Sequence, residues 1–141
     1  MRDLEGKNAI ITGTNRGIGN AIMHAFALAG CNIWAGVRDV ENKVFLDEID
    51  TLAKENNINI TPIYLEMSDE NVIKDTFQKI YKSHVPIDIL VNSAGIAEIN
   101  LFSMTSMKKM REIFEVNFWG AVYLTQLVLK SMYKKTRGGV L

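Results

Sequence analysis

Short apolar runs alternate with longer segments of helical period, and this alternation is the feature that most limits the folds open to the chain. The apolar runs cover residues 8–12, 32–37, 58–65 and 87–91. Because strands covered on both faces read as continuous apolar runs, the pattern predicts a parallel sheet joined by crossover helices. Right-handed crossovers then give an open, doubly wound α/β sheet with strand order 3-2-1-4.

The segments between the runs place apolar residues three and four positions apart, as amphipathic helices do. Helices are predicted over residues 17–29 and 40–56, and a third helix is expected to begin at an N-cap on Ser68. Gly30 follows the first of these as a stop signal. The buried stripe of the first helix is expected at Ile18, Ala21, Ile22, Ala25, Phe26 and Ala29.

The last helical segment is the longest of the chain. Its period predicts one continuous helix from Ser106 to about Lys134, ended by Gly138 and Gly139. Val140-Leu141 then has the pattern of a fifth strand that is truncated. The buried stripe of the helix is expected at Met110, Ile113, Phe114, Phe118, Ala121, Leu124, Val128 and Met132.

The composition is that of a single globular domain over residues 1–141. Its 16 basic and 16 acidic residues cancel, which argues against nucleic acid as a partner because phosphate binding needs a basic face. No apolar run approaches membrane-spanning length, and the amino terminus has no apolar signal core. Neither a membrane partner nor secretion is therefore expected.

The cysteine and histidine residues give no sign of metal binding or nucleophilic catalysis. Cys31 is the single cysteine, which excludes an intramolecular disulfide and fits a reducing cytoplasm. Since Cys31 opens an apolar run, it is expected to be a small core residue. His24 and His84 stand alone, so surface positions are expected for both and no metal site is predicted.

The glycine-rich segment between the first run and the first helix is the most informative part of the sequence for function. A diphosphate bridge needs a tight turn, free main-chain N–H groups and a helix N-terminus. Gly13 permits the turn, Gly17 removes a side chain that would meet a phosphate, and Gly19 lets the helix approach the sheet. The alternative is a glycine turn without a ligand. The residues predicted to bind are Gly13, Thr14, Asn15, Arg16, Gly17, Ile18 and Gly19.

This spacing resembles the T-G-x-x-x-G-x-G motif of the classical short-chain dehydrogenase/reductase family. Three further matches follow in order along the chain. The segment 92–95 (Asn-Ser-Ala-Gly) is similar to the family's N-N-A-G, Asp88 matches an acidic residue before that strand, and Asn117 resembles a helix asparagine. The resemblance implies a Rossmann-type NAD(P)-binding domain that forms the N-terminal, cofactor-binding part of such an enzyme.

The choice of cofactor is argued from the end of the second strand. NAD(H) usually needs a carboxylate there for the ribose 2′-hydroxyl, and the sequence offers Arg38 before it offers Asp39. A guanidinium at Arg38 can hold a 2′-phosphate, and Arg16 is expected on the same side. NADP(H) is therefore the predicted cofactor, with NAD(H) and two solvated arginines as the alternative.

The resemblance also assigns residues to the adenosine half of the cofactor. Glu66 and Met67 stand where the family usually has aspartate and an apolar residue, so the longer Glu66 side chain is harder to position. Asn92, Ala94 and Gly95 are expected along the adenine and its ribose.

For the reaction itself, the family uses Ser, Tyr and Lys, with Tyr-x-x-x-Lys on one helical face. Asn117 is the only catalytic member that can be placed, and its alternative role is a hydrogen bond to nearby backbone. No tyrosine here has a lysine four positions later. The 141 residues are therefore expected to carry the cofactor half and to be inactive alone.

The resemblance implies an NADP(H)-dependent oxidoreductase that moves hydride between nicotinamide and a small carbonyl or alcohol. It also implies a cytoplasmic homodimer or homotetramer. The alternative is a non-catalytic nucleotide-binding module with a regulatory or assembly role.

Overall fold

A computed structural model describes residues 2–135, which form a parallel four-stranded sheet with helices on both faces. The spatial order is β3-β2-β1-β4, which confirms the predicted Rossmann-type topology. The fifth strand predicted at Val140-Leu141, and the glycines before it, lie outside the described residues. The strands are β1 (Asn8–Thr12), β2 (Asn32–Val37), β3 (Ile60–Tyr64) and β4 (Ile89–Val91).

The helices alternate with these strands as the sequence period predicts. A short 3₁₀ turn at Phe102–Met104 precedes the last helical region, and a π-helical turn at Glu115–Trp119 divides it. The helices are α1 (Gly17–Leu28), α2 (Lys43–Asn56), α3 (Glu70–Lys82), α4 (Met107–Phe114) and α5 (Gly120–Lys135).

Two hydrophobic cores lie on opposite faces of the sheet. Helices α1 and α2 cover one face, and α3 and α5 cover the other. Successive side chains of a strand point to opposite faces, so Ala9 and Ile11 of β1 enter the first core whereas Ile10 enters the second. Cys31 is fully buried in the first core, as predicted. Burial, followed by the charge of Asp88, raises the pKa of its thiol to about 11.

The buried face of α1 differs from the predicted stripe. The structure buries Gly19, Met23 and Ala27, whereas Ile18 is 76% exposed and Ala21 is also exposed. The prediction was right for Ile22 and Phe26, which are partly buried and pack against the first core, and wrong for Ile18 and Ala21, because the helix turns Gly19 toward the sheet. A Cβ atom on Gly19 would overlap the carbonyl of Gly13, so this close approach decides the helix rotation.

Two helix starts also differ from prediction. The N-cap of α3 is Asp69, whose Oδ1 accepts from the N–H groups of Asn71 at 2.9 Å and Val72 at 3.2 Å. Ser68 was therefore the wrong residue, since its hydroxyl donates to Glu66 instead. Helix α2 begins after Asn42, whose side chain accepts from the Phe45 N–H at 3.1 Å, rather than at residue 40.

The long last helical region begins at the predicted residue, Ser106, which is the N-cap and whose hydroxyl oxygen accepts from the Lys109 N–H at 3.2 Å. It is not continuous, because the π turn adds a residue to one turn and shifts the buried face. Beyond the turn, Leu124 and Val128 are buried as predicted. Before and within it, the prediction fails for Phe114, which is 63% exposed, and for Phe118, which is 50% exposed, whereas Met110 and Ile113 are half-buried.

A row of polar groups crosses the sheet at the amino ends of all four strands. Asp88 Oδ2, just before β4, accepts from the Asn8 N–H of β1 at 2.9 Å. The Asn8 Oδ1 atom accepts from Asn32 Nδ2 of β2 at 3.2 Å, and Asn32 Oδ1 accepts from the Asn59 N–H before β3 at 2.9 Å. These bonds link the strands side by side at the edge opposite the cavity described next.

Candidate functional site

A cavity of about 380 Å³ opens at the carboxyl ends of the strands, where ligands of doubly wound sheets bind. The loops after β1, β2, β3 and β4 all contribute to its wall. Most of the residues predicted from the sequence meet there. Those that line the cavity are Gly13, Asn15, Arg16, Ile18, Gly19, Arg38, Glu66, Met67, Ala94 and Gly95.

The other predicted residues lie beside the cavity rather than in its wall. They are Thr14, Gly17, Asn92 and Asn117, all within the described part of the chain. The wall also includes residues that the sequence prediction omitted. These are Thr12, Gly36, Val37, Leu65, Ser93, Ile96 and Val116.

The glycine-rich turn is held in a conformation that glycine adopts easily. Gly13 has φ 71°, and a Cβ atom there would lie 2.8 Å from Ala94 Cα. Gly17 has φ 62° with open space around it, so its backbone conformation rather than crowding favours glycine. The turn can therefore come close to the segment after β4 while leaving its outer side open.

The turn presents main-chain donors at the start of α1. No side chain caps this helix at Arg16. Within residues 2–135, the backbone N–H groups of Asn15 and Arg16 have no hydrogen-bond partner. Free N–H groups and the positive end of a helix dipole suit an anion. The predicted requirements of a diphosphate, namely a tight turn, free donors and a helix start, thus occur together.

Thr14 is a structural anchor of the turn. Its side chain is fully buried, and both its N–H and its hydroxyl donate to the Gly36 carbonyl, at 3.1 and 3.3 Å. The Gly13 N–H donates to the same oxygen at 2.9 Å. The turn is therefore fastened to the end of β2, which brings Arg38 next to it.

Thr12 joins the turn to the segment after β4. Its buried hydroxyl oxygen accepts from the Ser93 N–H at 3.0 Å and the Ala94 N–H at 2.9 Å. The sequence prediction missed this role because the two partners lie far along the chain. A hydroxyl at the last residue of an otherwise apolar strand was the available signal.

Asn117 lies in the π turn and faces the same segment from the other side. Its Oδ1 accepts from the Ile96 N–H and its Nδ2 donates to the Ile96 carbonyl, both at 2.8 Å. Asn92 Nδ2 donates to the Thr125 hydroxyl of α5 at 3.0 Å. Both asparagines therefore fasten the segment after β4 to the last helical region.

Two arginines line the cavity, whereas the acidic residue next to one of them in sequence does not. Arg16 and Arg38 are exposed and line the wall. Asp39 Oδ1 accepts from the Glu41 N–H at 3.0 Å, in a local turn. Asp39, which is one of the described residues, does not line the cavity.

The Glu66 carboxylate is held in place despite the length of its side chain. Its Oε1 accepts from the Ser68 hydroxyl at 2.9 Å and from the Ser68 N–H at 3.3 Å, which holds the carboxylate at the wall. Met67 beside it is buried, and a Cβ atom on Gly120 would overlap the Met67 carbonyl. The close packing of α5 against this loop, through Gly120, was also missed from the sequence.

His24 does not stand alone as expected, because its Nε2 lies 2.7 Å from Glu48 Oε1. Among residues 2–135, no group of three His, Cys, Asp or Glu side chains is arranged to hold a metal ion. None of the helices in that range has both the length and the apolar content for a transmembrane span.

Comparison with known proteins establishes the family. The model of the short chain dehydrogenase family matches residues 7–141. The chain therefore belongs to the short chain dehydrogenase family, and the resemblance drawn from its motifs is confirmed. Oxidoreductases bind their nucleotide on this fold at the edge where the cavity lies.

Individual relatives agree with this assignment. The 3-oxoacyl-[acyl-carrier-protein] reductase of Aquifex aeolicus is 34% identical over 138 residues, which is 97% of this chain and 54% of that protein. The chain thus spans about half the length of the curated relatives that it matches.

Solved structures have the same fold. The alcohol dehydrogenase of the archaeon Thermococcus sibiricus, complexed with 5-hydroxy-NADP, matches at a TM-score of 0.83 with 26% identity, covering 91% of this chain and 54% of that one. The L-sorbose reductase of Gluconobacter frateurii, complexed with NADPH and L-sorbose, matches at a TM-score of 0.86 with 24% identity. That match covers 96% of this chain and 51% of that one. At the latter identity the likeness concerns the fold alone.

Proposed function

We propose that the protein is an NADP(H)-dependent oxidoreductase that transfers hydride between nicotinamide and a small carbonyl or alcohol. The observation that carries the choice of cofactor is the pair of arginines, Arg16 and Arg38, on the cavity wall. Two guanidinium groups suit a 2′-phosphate, which adds charge and acceptor oxygens to the ribose. The carboxylate that would favour the 2′-hydroxyl of NAD(H), Asp39, is engaged in its own turn.

The remaining wall residues suit the rest of such a cofactor. The free N–H groups of Asn15 and Arg16 at the start of α1 would hold the diphosphate. The carboxylate of Glu66, fixed by Ser68, would accept from the adenine amino group. Ala94 and Gly95 would run along the adenine and its ribose, in a wall without large side chains.

The bound nicotinamide supplies the hydride acceptor or donor of the reaction. The residues of this chain bind and orient it, and Asn117 holds the loop after β4 through both atoms of its amide. As a member of the catalytic group, Asn117 would act near the reacting carbonyl. The tyrosine and lysine that the family uses as proton donor and partner have no counterpart with the required spacing in these 141 residues.

The names of the relatives support hydride chemistry between a carbonyl group and an alcohol. The Aquifex aeolicus protein is named a 3-oxoacyl reductase, and the Thermococcus sibiricus protein an alcohol dehydrogenase. By analogy with the family, the protein acts in the cytoplasm as a homodimer or homotetramer. No observation favours the alternative of a non-catalytic nucleotide-binding module.

The test is a comparison of NADPH and NADH binding to wild type and to Arg38→Ala. Wild type should bind NADPH more tightly than NADH. Loss of one guanidinium from the 2′-phosphate should weaken NADPH binding by about 1.5–3 kcal/mol and leave NADH binding nearly unchanged. Isothermal titration of each protein with both cofactors measures the two effects.

A matched variant controls for loss of a positive charge. Arg111→Ala removes an exposed arginine from α4, away from the cavity wall, and should leave both affinities at the wild-type level. An equal loss of NADPH and NADH binding in Arg38→Ala would contradict the assignment to NADP(H). A folded wild-type protein that bound neither cofactor would contradict the proposed function itself.

A further inference from the structure

A polar network joins α1 to α2 behind the glycine-rich turn. Asn20 Nδ2 donates to the Thr14 carbonyl at 3.1 Å and to Glu48 Oε1 at 2.8 Å. The same Glu48 oxygen lies 2.7 Å from His24 Nε2. The network thus runs from α2, through two side chains of α1, to the main chain of the turn.

The chemistry of its neighbours fixes how the Asn20 amide is turned. A carbonyl oxygen and a carboxylate oxygen are both acceptors, so the nitrogen of the amide must face them. Its two N–H groups are then each used, one on Thr14 and one on Glu48. Neither contact survives if the amide rotates by half a turn.

The contact with Thr14 determines where the next N–H group points. The structure has no cis peptide bond in its described residues. In a trans peptide the C=O and the following N–H point in opposite directions. Because Asn20 holds the Thr14 carbonyl on the side of α1 and α2, the N–H of Asn15 is turned away from that side.

The peptide between Thr14 and Asn15 has few other restraints. The Thr14 N–H and hydroxyl are anchored to Gly36, but they belong to the preceding peptide and the side chain. The Asn15 N–H has no partner within residues 2–135, and Asn15 lines the cavity. Without Asn20, no hydrogen bond from residues 2–135 would hold this peptide plane.

We infer that Asn20 is a positioning residue that orients the Asn15 N–H toward the diphosphate of the bound dinucleotide, and that Glu48 and His24 hold Asn20 in place. The inference rests on the proposed function, since it concerns that same cavity. It identifies Asn20 as a residue that supports binding without touching the ligand. Loss of its amide should therefore affect ligands that carry the diphosphate and spare those that lack it.

The experiment compares Asn20→Ala with wild type for two ligands. NADPH contains the diphosphate, whereas adenosine 2′-monophosphate carries the 2′-phosphate alone. The loss of one oriented donor should weaken NADPH binding on the order of tenfold. Adenosine 2′-monophosphate should bind both proteins equally.

Asn56→Ala is the matched control. Asn56 also donates from its side-chain amide to a backbone carbonyl, that of Leu52 at 2.9 Å, but it lies at the end of α2. This variant should keep wild-type affinity for both ligands. Alanine is a strong helix former, so Asn20→Ala is expected to fold, and Glu48→Ala, which frees the amide of Asn20, provides a second variant with the same expected pattern.

Each outcome is informative. Selective weakening of NADPH in Asn20→Ala and Glu48→Ala supports the inference. Unchanged NADPH binding in the two variants, or an equal loss for both ligands, overturns it and leaves the proposed function intact. If wild type binds neither ligand, the proposed function fails and the inference fails with it.

Discussion

At the scale of single residues, the cavity depends on polar groups whose partners lie far away in sequence. The Thr12 hydroxyl accepts from two consecutive N–H groups, those of Ser93 and Ala94. Without this hydroxyl, the two N–H groups at the carboxyl end of β4 would have no acceptor, although the glycine-rich turn packs closely against them. The hydroxyl therefore sets the distance between the two segments that form opposite parts of the wall.

Thr12→Val tests this role. Valine has nearly the same shape but no hydroxyl, so the part-buried N–H groups of Ser93 and Ala94 lose the acceptor that the buried Thr12 side chain provides. The free energy of unfolding should fall by about 1–3 kcal/mol, as measured by urea denaturation. Thr12→Ser keeps the hydroxyl and should lose less. Equal urea midpoints for Thr12→Val and wild type would show that the hydroxyl contributes nothing.

Whether the role of a residue can be predicted from the sequence depends on how far along the chain its partners lie. Gly13 and Gly19 could be predicted because a turn between strand and helix makes a local demand on the backbone. Thr12 and Asn20 could not, because their roles depend on neighbours such as Ala94 and Glu48 that only the folded chain brings close. The sequence therefore predicts which main-chain segment binds, but not the side chains that hold it.

At the scale of elements, the pairing of α1 with α2 has a pH dependence. Partial burial opposes ionisation of Glu48, but the hydrogen bonds from His24 and Asn20 outweigh it, so the pKa of Glu48 lies below its ordinary value of 4.5. A lowered pKa means that the ionised form is favoured in the folded state. The stabilisation is present above the ordinary value and is lost as pH falls through the lower, folded-state pKa.

Glu48→Gln should therefore lose the acid-dependent part of this stabilisation. Below pH 4.5 the unfolding free energy of wild type should fall more steeply with decreasing pH than that of the variant. Denaturant unfolding at a series of pH values measures both slopes. Glu55→Gln, at an exposed position on the same helix, is the control for charge. Parallel curves for wild type and Glu48→Gln would contradict the prediction.

The apolar pattern of the sequence predicts some features of the strands and helices and not others. The sheet order was predictable because apolar runs and helical periods alternate and crossover handedness leaves few topologies. The π turn at Glu115–Trp119 was not, because an added residue in one turn leaves the apolar period almost unchanged in sequence. The buried face of α1 was mispredicted for a different reason. The sequence does not show which small residue of the helix lies against the sheet, and in the structure this residue is Gly19.

At the scale of the whole molecule, about half of the exposed large apolar side chains of the described residues fall within one stretch of the sequence, residues 99–119. Ile99 is fully exposed, and the segment that follows contains further exposed aromatic and aliphatic groups. This region leads from the cavity wall at Ile96 into the π turn. Other members of this set are Leu101, Phe102, Met104, Met107, Phe114, Phe118 and Trp119.

The 141-residue polypeptide is expected to bind nucleotide without catalysing hydride transfer. It carries the cavity, but it has no tyrosine followed four positions later by lysine to donate a proton to the developing alkoxide. NADPH oxidation measured with a panel of ketones should stay at the buffer background. Turnover above that background, absent from a heat-unfolded sample, would contradict this expectation.

The hydrogen-bonded row from Asp88 through Asn8 and Asn32 to Asn59 has a consequence for how such chains can change in length. It aligns the strands at one end, and each strand residue advances about 3.3 Å. A residue inserted into β1 would move the glycine turn by that step and reverse the inward and outward sides of the strand. Insertions and deletions can therefore accumulate in the connecting loops, while the spacing between the asparagine row and the nucleotide cavity stays constant.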